Sequence, residues 1–169
     1  NLNDIHFDAA GIYIVGDNGT VLHAPNFSSM FTPVSSSTSK NFNGVSMIPG
    51  TSQVMLVGDG SNVYLAASPM LIKIRRVYTP VLKKVHFSDL MNGYAVGDNY
   101  TVRYTSDAGN TWKVVLPSAG LPNTLPVLKS VWNTSGSQAY ISGKKEYLGL
   151  ANGTTIDIIP VPLPGNNHF

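Results

Sequence analysis

The chain has no cysteine, so it can build neither a disulfide framework nor a thiolate metal site. Charge is scarce: Asp, Glu, Lys and Arg make up 12% of the 169 residues and the net charge is +2. A balance that small carries no electrostatic footprint for nucleic acid. Glu146 is the only glutamate, and Arg75, Arg76 and Arg103 are the only arginines. No apolar run approaches the roughly 18 residues of a membrane-crossing helix, so membrane insertion is not expected. The chain opens directly on LNDIHF, with no methionine and no basic-then-apolar leader, and reads as a piece or processed product of something longer. What is abundant is Thr, Ser, Asn, Val and Tyr, with 16 Gly and 11 Pro. That is an all-β composition, in a chain long enough for one core.

Short apolar runs recur along it, each closed by turn formers. Aligned on a first strand they read LNDIHF from Leu2, FNGVSM from Phe42, LKKVHF from Leu82 and LKSVWN from Leu128, at intervals of 40, 40 and 46 residues. A second anchor, IYIVGD, VMLVGD, YAVGD and AYISGK, repeats with glycines at Gly16, Gly58, Gly97 and Gly143. A period near 40 with four strands per unit predicts an all-β β-propeller of four consecutive four-stranded antiparallel blades. One segment, 1–169, holds blades at about 2–40, 42–79, 82–117 and 128–163. Asp17-Asn18-Gly19 is a hairpin turn. The Pro/Gly stretch 118–126 supplies the six extra residues, and the prolines of TIDIIPVPLP suit an edge strand. Residues 165–169 have the look of a lead-in to another blade. Each unit owns its first and fourth strands, which favours an arc of a larger ring over a closed four-bladed one.

The third unit carries the sharpest motif, Thr105-Ser-Asp107-Ala-Gly109-Asn-Thr111-Trp112, which matches every specified position of Ser/Thr-x-Asp-x-Gly-x-Thr-Trp. With L-x-x-[IV]-x-F and G-Y-x-V-G-D-N before it, this stretch resembles the photosystem II stability/assembly-factor type of Asp-box (BNR-repeat) propeller. The resemblance is clearest over 82–117. It implies a structural motif: Asp107 accepting backbone hydrogen bonds across the hairpin, Gly109 allowing a tight turn, and Trp112 burying its indole. Such propellers usually have more than four blades, and members that chaperone membrane complexes use a basic patch. Here the one charge concentration is Lys73, Arg75, Arg76, Lys83 and Lys84, a candidate partner-binding patch that reads equally as a solvated edge.

Catalytic readings find little support. A sialidase clamps a carboxylate with three arginines, but adjacent Arg75 and Arg76 point to opposite faces of a strand. Asp8 and Asp89 occupy equivalent loops and would form a glycosidase pair only if they faced each other; both stand in turn contexts. Asp17, Asp59 and Asp98 follow the repeated glycines and read as turn carboxylates. His6 and His86 share a column with Ser46 and Trp132, where two histidines facing a channel are a conceivable metal site. Tyr100, Tyr104 and Trp132 are the aromatics a glycan would need.

The expected protein is therefore a non-catalytic scaffold for protein or glycan interaction, without cofactor or metal, in a secreted or cell-surface bacterial protein. Its partners would be further blades of the same protein, another protein, or a glycan. One alternative is a carbohydrate-active propeller with its site in other blades. The other is an assembly factor for a membrane complex in a periplasmic or lumenal compartment.

Overall fold

The computed structural model describes residues 1–9, 11–60, 62–67, 70–76 and 81–161, with the backbone alone over 67 and 70–76. Alternating β-branched and aromatic residues between Gly, Asp and Asn turns fold into four consecutive antiparallel sheets. The first holds β1 (Leu2–Asp8), β2 (Gly11–Gly16), β3 (Val21–Ala24) and β4 (Thr32–Pro33). The second holds β5 (Phe42–Met47), β6 (Gln53–Gly58), β7 (Asn62–Ala67) and β8 (Met70–Arg76). The third holds β9 (Leu82–Phe87), β10 (Gly93–Gly97), β11 (Thr101–Thr105) and β12 (Lys113–Val114). The fourth is β14 (Leu128–Ser135), β15 (Gln138–Gly143), β16 (Leu148–Asn152) and β17 (Thr155–Ile158), joined at its outer edge by β13 (Leu116–Pro117). No α-helix occurs among the described residues, and none there is long and apolar enough to cross a membrane.

Two departures from the sequence reading meet at β13. The blade expected at 82–117 does not run through to 117: Lys113 and Val114 pair within the third sheet, whereas Leu116 and Pro117 pair in parallel with Thr155 and Ile156. Val115, buried between the third and fourth sheets, holds the chain at the crossing point. Consequently TIDIIPVPLP is not an edge strand. β17 stops at Ile158, before the first proline, and its outer side is occupied by β13. The Leu116 and Ser118 N–H groups donate to Thr154 and Ile156 carbonyls at 3.0 Å each. Ser118 Oγ adds a bond to the Asp157 carboxylate. Residues 165–169 lie outside the described residues.

The repeat extends to single atoms. In every sheet the first strand bulges at its second residue, Asn3, Asn43, Lys83 or Lys129, where the register to the next strand shifts. In every sheet the glycine ending the second strand lies against the backbone just before the first strand. A Cβ at Gly16, Gly58, Gly97 or Gly143 would come within 2.1, 2.0, 2.2 or 2.6 Å of the Asn1, Asn41, Val81 or Val127 oxygen. The following N–H donates to that same oxygen, from Asp17, Asp59, Asp98 or Lys144, at 2.9–3.0 Å. Only glycine lets the two backbones close to this distance.

Apolar cores lie between successive sheets. Tyr13, Val15 and Val21 meet Phe42, Val45 and Met47; Met55, Val57 and Val63 meet Leu82, Val85 and Phe87; Tyr94, Val96 and Val102 meet Leu128, Val131 and Ile141. The second and third sheets therefore pack backward with one face and forward with the other. The backward face of the first sheet has no sheet against it: Ile5 and Phe7 are 52% and 60% exposed, whereas their counterparts Val85 and Phe87 are 0% and 2%. The leading strands pack in series, β1 on β5, β5 on β9 and β9 on β14.

Candidate binding groove on the leading strands

Because the four leading strands share one register, equivalent positions form columns across them. The third position of each reads Asp4, Gly44, Lys84 and Ser130, and the fifth reads His6, Ser46, His86 and Trp132. Of these, His6, Lys84, His86, Ser130 and Trp132 line a groove of about 410 Å³ whose apolar walls include Ile5, Phe7, Val45 and Val131.

In the third-position column Lys84 Nζ reaches Asp4 at 2.5 Å, although the two residues belong to the first and third sheets. Gly44 stands between them with no side chain, and a Cβ there would come within 2.9 Å of Lys84 Cα. The other Asp4 oxygen accepts the Val45 N–H at 2.8 Å. One polar cluster thus ties three sheets together, and its two charges cancel.

The fifth-position column also ties sheets together. Ser46 Oγ accepts the Phe87 N–H at 3.0 Å, and His86 Nδ1 accepts the Asn133 N–H at 3.1 Å. Each acceptor takes the amide one residue past its own counterpart in the next sheet. His86 is 8% exposed, and burial, with His6 and Lys84 nearby adding like charge, lowers its pKa to about 4. Burial also lowers His6, against the opposing pull of Asp8. The rings of His6 and His86 are 6.4 Å apart, and that of His86 lies 4.2 Å from Trp132 at a 30° tilt.

This arrangement bears on the metal reading. A neutral imidazole that accepts through Nδ1 must carry its proton on Nε2. A metal needs a nitrogen lone pair, and His86 has already committed its own to Asn133. No group of three or more His, Asp or Glu close enough to hold a metal occurs among the described residues.

The other singled-out residues fall elsewhere. The bulged Asn3 donates to Asp17 Oδ1 at 3.0 Å and to the Phe42 carbonyl at 2.9 Å; Asn43 does the same with Asp59 and Leu82 at 3.1 and 3.0 Å. Lys83 takes that position in the third sheet, 3.6 Å from Asp98. Asp17 and Asp59 therefore accept from side chains across the corner, Asp98 pairs by charge with Lys83, and the N–H groups of all three do the backbone bonding. Within the basic group, Lys83 and Lys84 lie on the leading strand of the third sheet and have acidic partners. Lys73, Arg75 and Arg76 lie on β8, the outermost strand of the second sheet, and their side chains fall outside the described residues. The five residues share neither a strand nor a sheet.

Asp89 is a turn cap, accepting the Met91 and Asn92 N–H groups at 2.8 and 2.7 Å. Burial would raise its pKa, and these bonds hold it below the usual value. Tyr100 and Tyr104 are interior: the first meets Tyr147 hydroxyl to hydroxyl at 2.7 Å, and the second donates to Asn92 at 2.5 Å. Trp132 alone of the three candidate aromatics is exposed, at 63%. In the 105–112 loop, Thr105 Oγ accepts the Gly109 N–H at 2.9 Å and donates to Asp107 at 2.8 Å. Asp107 accepts the Thr111 N–H at 2.8 Å and its hydroxyl at 2.5 Å. Burial works against the Asp107 charge, and the bonds from Thr111 and Thr105 outweigh it, leaving the pKa below the ordinary value. Gly109 has φ +84°, and Trp112 packs against Phe87 with ring centroids 6.1 Å apart. The sequence did not reveal the Asp4–Lys84 pair; a glycine in a column of polar residues was the available signal.

Solved structures share this arrangement of sheets. YCF48 bound to D1 peptide superposes with a TM-score of 0.67 at 15% identity, over 93% of this chain and 52% of the other. YCF48 from Cyanidioschyzon merolae gives 0.68 at 15% identity, over 90% and 51%. The fold is a β-propeller segment. The four sheets are its blades, and the chain spans about half the length of the propellers it matches. No family model and no curated protein matches the sequence.

Proposed function

We propose that this segment is part of a non-catalytic propeller scaffold that binds a protein partner through an extended peptide. The supporting observation is the groove where the four leading strands converge, a concave surface with an exposed Trp132 and apolar flanks on a hydrogen-bonded frame. A propeller of the same fold is described as bound to a D1 peptide, which agrees with that use. The full protein would be an arc completed by further blades, with the apolar Ile5 and Phe7 face covered by one of them. The 105–112 loop serves as a fold-stabilising Asp-box in this reading. A secreted or surface location, or a periplasmic or lumenal one for an assembly factor, is part of the same proposal, and cell fractionation decides between them. Titrating a fluorescent D1 peptide into the full-length protein tests the binding. Saturable anisotropy lost on adding unlabelled peptide is expected for an assembly factor of the YCF48 kind. No binding of that peptide, alongside hydrolysis of an oligosaccharide by the same preparation, would refute the scaffold reading.

A further inference from the structure

Two features of the groove have no part in holding the blades together. His86 gives its Nδ1 lone pair to Asn133, and the proton this leaves on Nε2 has no hydrogen-bond partner among the described residues. The ring is more than nine-tenths buried and lines the groove. Nε2 is not one of the fully buried unpartnered side-chain atoms among the described residues, so this donor opens onto the groove, where a ligand acceptor can reach it. The second feature is Trp132, an aromatic ring left largely in water beside the donor, its indole nearly stacked on His86.

Charge decides what would fit. Lys84 is the one Asp, Glu, Lys or Arg lining the groove among the described residues, and Asp4 neutralises it at 2.5 Å. Burial above all, with His6 and Lys84 nearby, lowers the pKa of His86, and burial lowers that of His6. A charged group entering would lose water and find no free counter-charge. The volume, about 410 Å³, accommodates one large side chain with its adjoining backbone.

We propose that the groove seats one aromatic or large aliphatic residue of a bound peptide. Its backbone carbonyl accepts from His86 Nε2–H, and its side chain lies on Trp132 against Val131. The seat rests on the peptide-binding reading and adds to it the residue type read and the donor that fixes its register. A protein surface that reads one side chain in a pocket and one carbonyl with a fixed donor gains specificity without large affinity.

The test uses the full-length protein with ¹⁵N-labelled histidine and tryptophan. Long-range ¹H–¹⁵N spectra first report the tautomer: the proton on Nε2 of His86 is expected, and a proton on Nδ1 overturns the proposal outright. N-acetyl-phenylalanine N-methylamide is then titrated, with N-acetyl-lysine N-methylamide as the charged comparison. Saturable shifts of both His86 Nε2–H and the Trp132 indole are expected, about tenfold weaker for the lysine compound. Trp132→Ala, at an exposed position that leaves the fold intact, should weaken the phenylalanine compound by about tenfold. Equal binding of the two compounds, or binding unchanged by W132A, overturns the seat. If a partner peptide binds without moving either signal, the peptide reading stands and the seat falls. If the capped amino acid moves both signals and no peptide binds, the pocket stands and the peptide reading falls.

Discussion

His86 shows how one buried ring shapes the behaviour of the leading strands. Its pKa falls from about 6.5 in the unfolded chain to about 4 in the fold, so below the unfolded value the unfolded chain takes up a proton that the native chain refuses. Stability is therefore complete above about pH 6.5 and declines as the pH drops toward 4. Burial shifts His6 in the same sense, with Asp8 and Asp4 opposing and Lys84 reinforcing. Urea midpoints measured between pH 4 and 8 should fall on the acid side, and His86→Gln should flatten that fall. A second residue-scale prediction concerns Asp107, whose carboxylate is held by the Thr111 amide and hydroxyl. Asp107→Ala should cost about 1–2 kcal/mol by denaturant melting, and Asp107→Asn less, because the amide oxygen still accepts one bond. The columns of His6, Ser46, His86 and Trp132 were legible from the repeat. That His86 would spend its lone pair on Asn133 was not, because the bond depends on how far adjacent blades are staggered. Lys83 and Lys84 looked like one basic cluster for a similar reason: adjacency in sequence hides that neighbouring residues on a bulged strand reach different partners, Asp98 and Asp4.

At the scale of the strand pair, the repeated glycine is the most exacting requirement. Gly58→Ala would drive a Cβ to 2.0 Å from the Asn41 oxygen and break the Asp59 to Asn41 bond. A loss of about 1–3 kcal/mol is expected on overpacking grounds, and Gly153→Ala, with nothing within 4 Å of its Cβ, is the comparison for backbone conformation alone. The strap β13 makes a different prediction. The Leu116 and Ser118 amides donate across to the fourth blade, so both should exchange slowly, at rates matching β17 rather than the loop after residue 118. Exchange as fast as the loop would mean the strap is not paired in solution. Four-strand units were legible because glycine corners, Gly-Asp in three of the four, recur at a nearly constant period. The strap was not, because a two-residue parallel pairing leaves no pattern of its own. Val115, buried at the crossing, was an inconspicuous member of an apolar run.

Over the whole molecule, the same repeat position carries different energetics in different blades. Val85 is buried between the second and third blades, whereas Ile5, its counterpart, faces outward from the first. Val85→Ser should cost several times more stability than Ile5→Ser in the 169-residue chain. If the full protein places another blade on the first, the Ile5→Ser cost there should rise to match Val85→Ser. Equal small costs in both settings would show that no blade covers this face.

The strap also has a consequence for the order in which the chain is made. Leu116 and Pro117 leave the ribosome long before Thr155 and Ile156, the partners they pair with. Until then the tail of the third blade hangs unmatched, and Val115 is seated against a neighbour that does not yet exist. The strap, made before any other strand of the fourth sheet, is therefore the one that waits longest for its partner, and its pairing is completed only when β17 arrives.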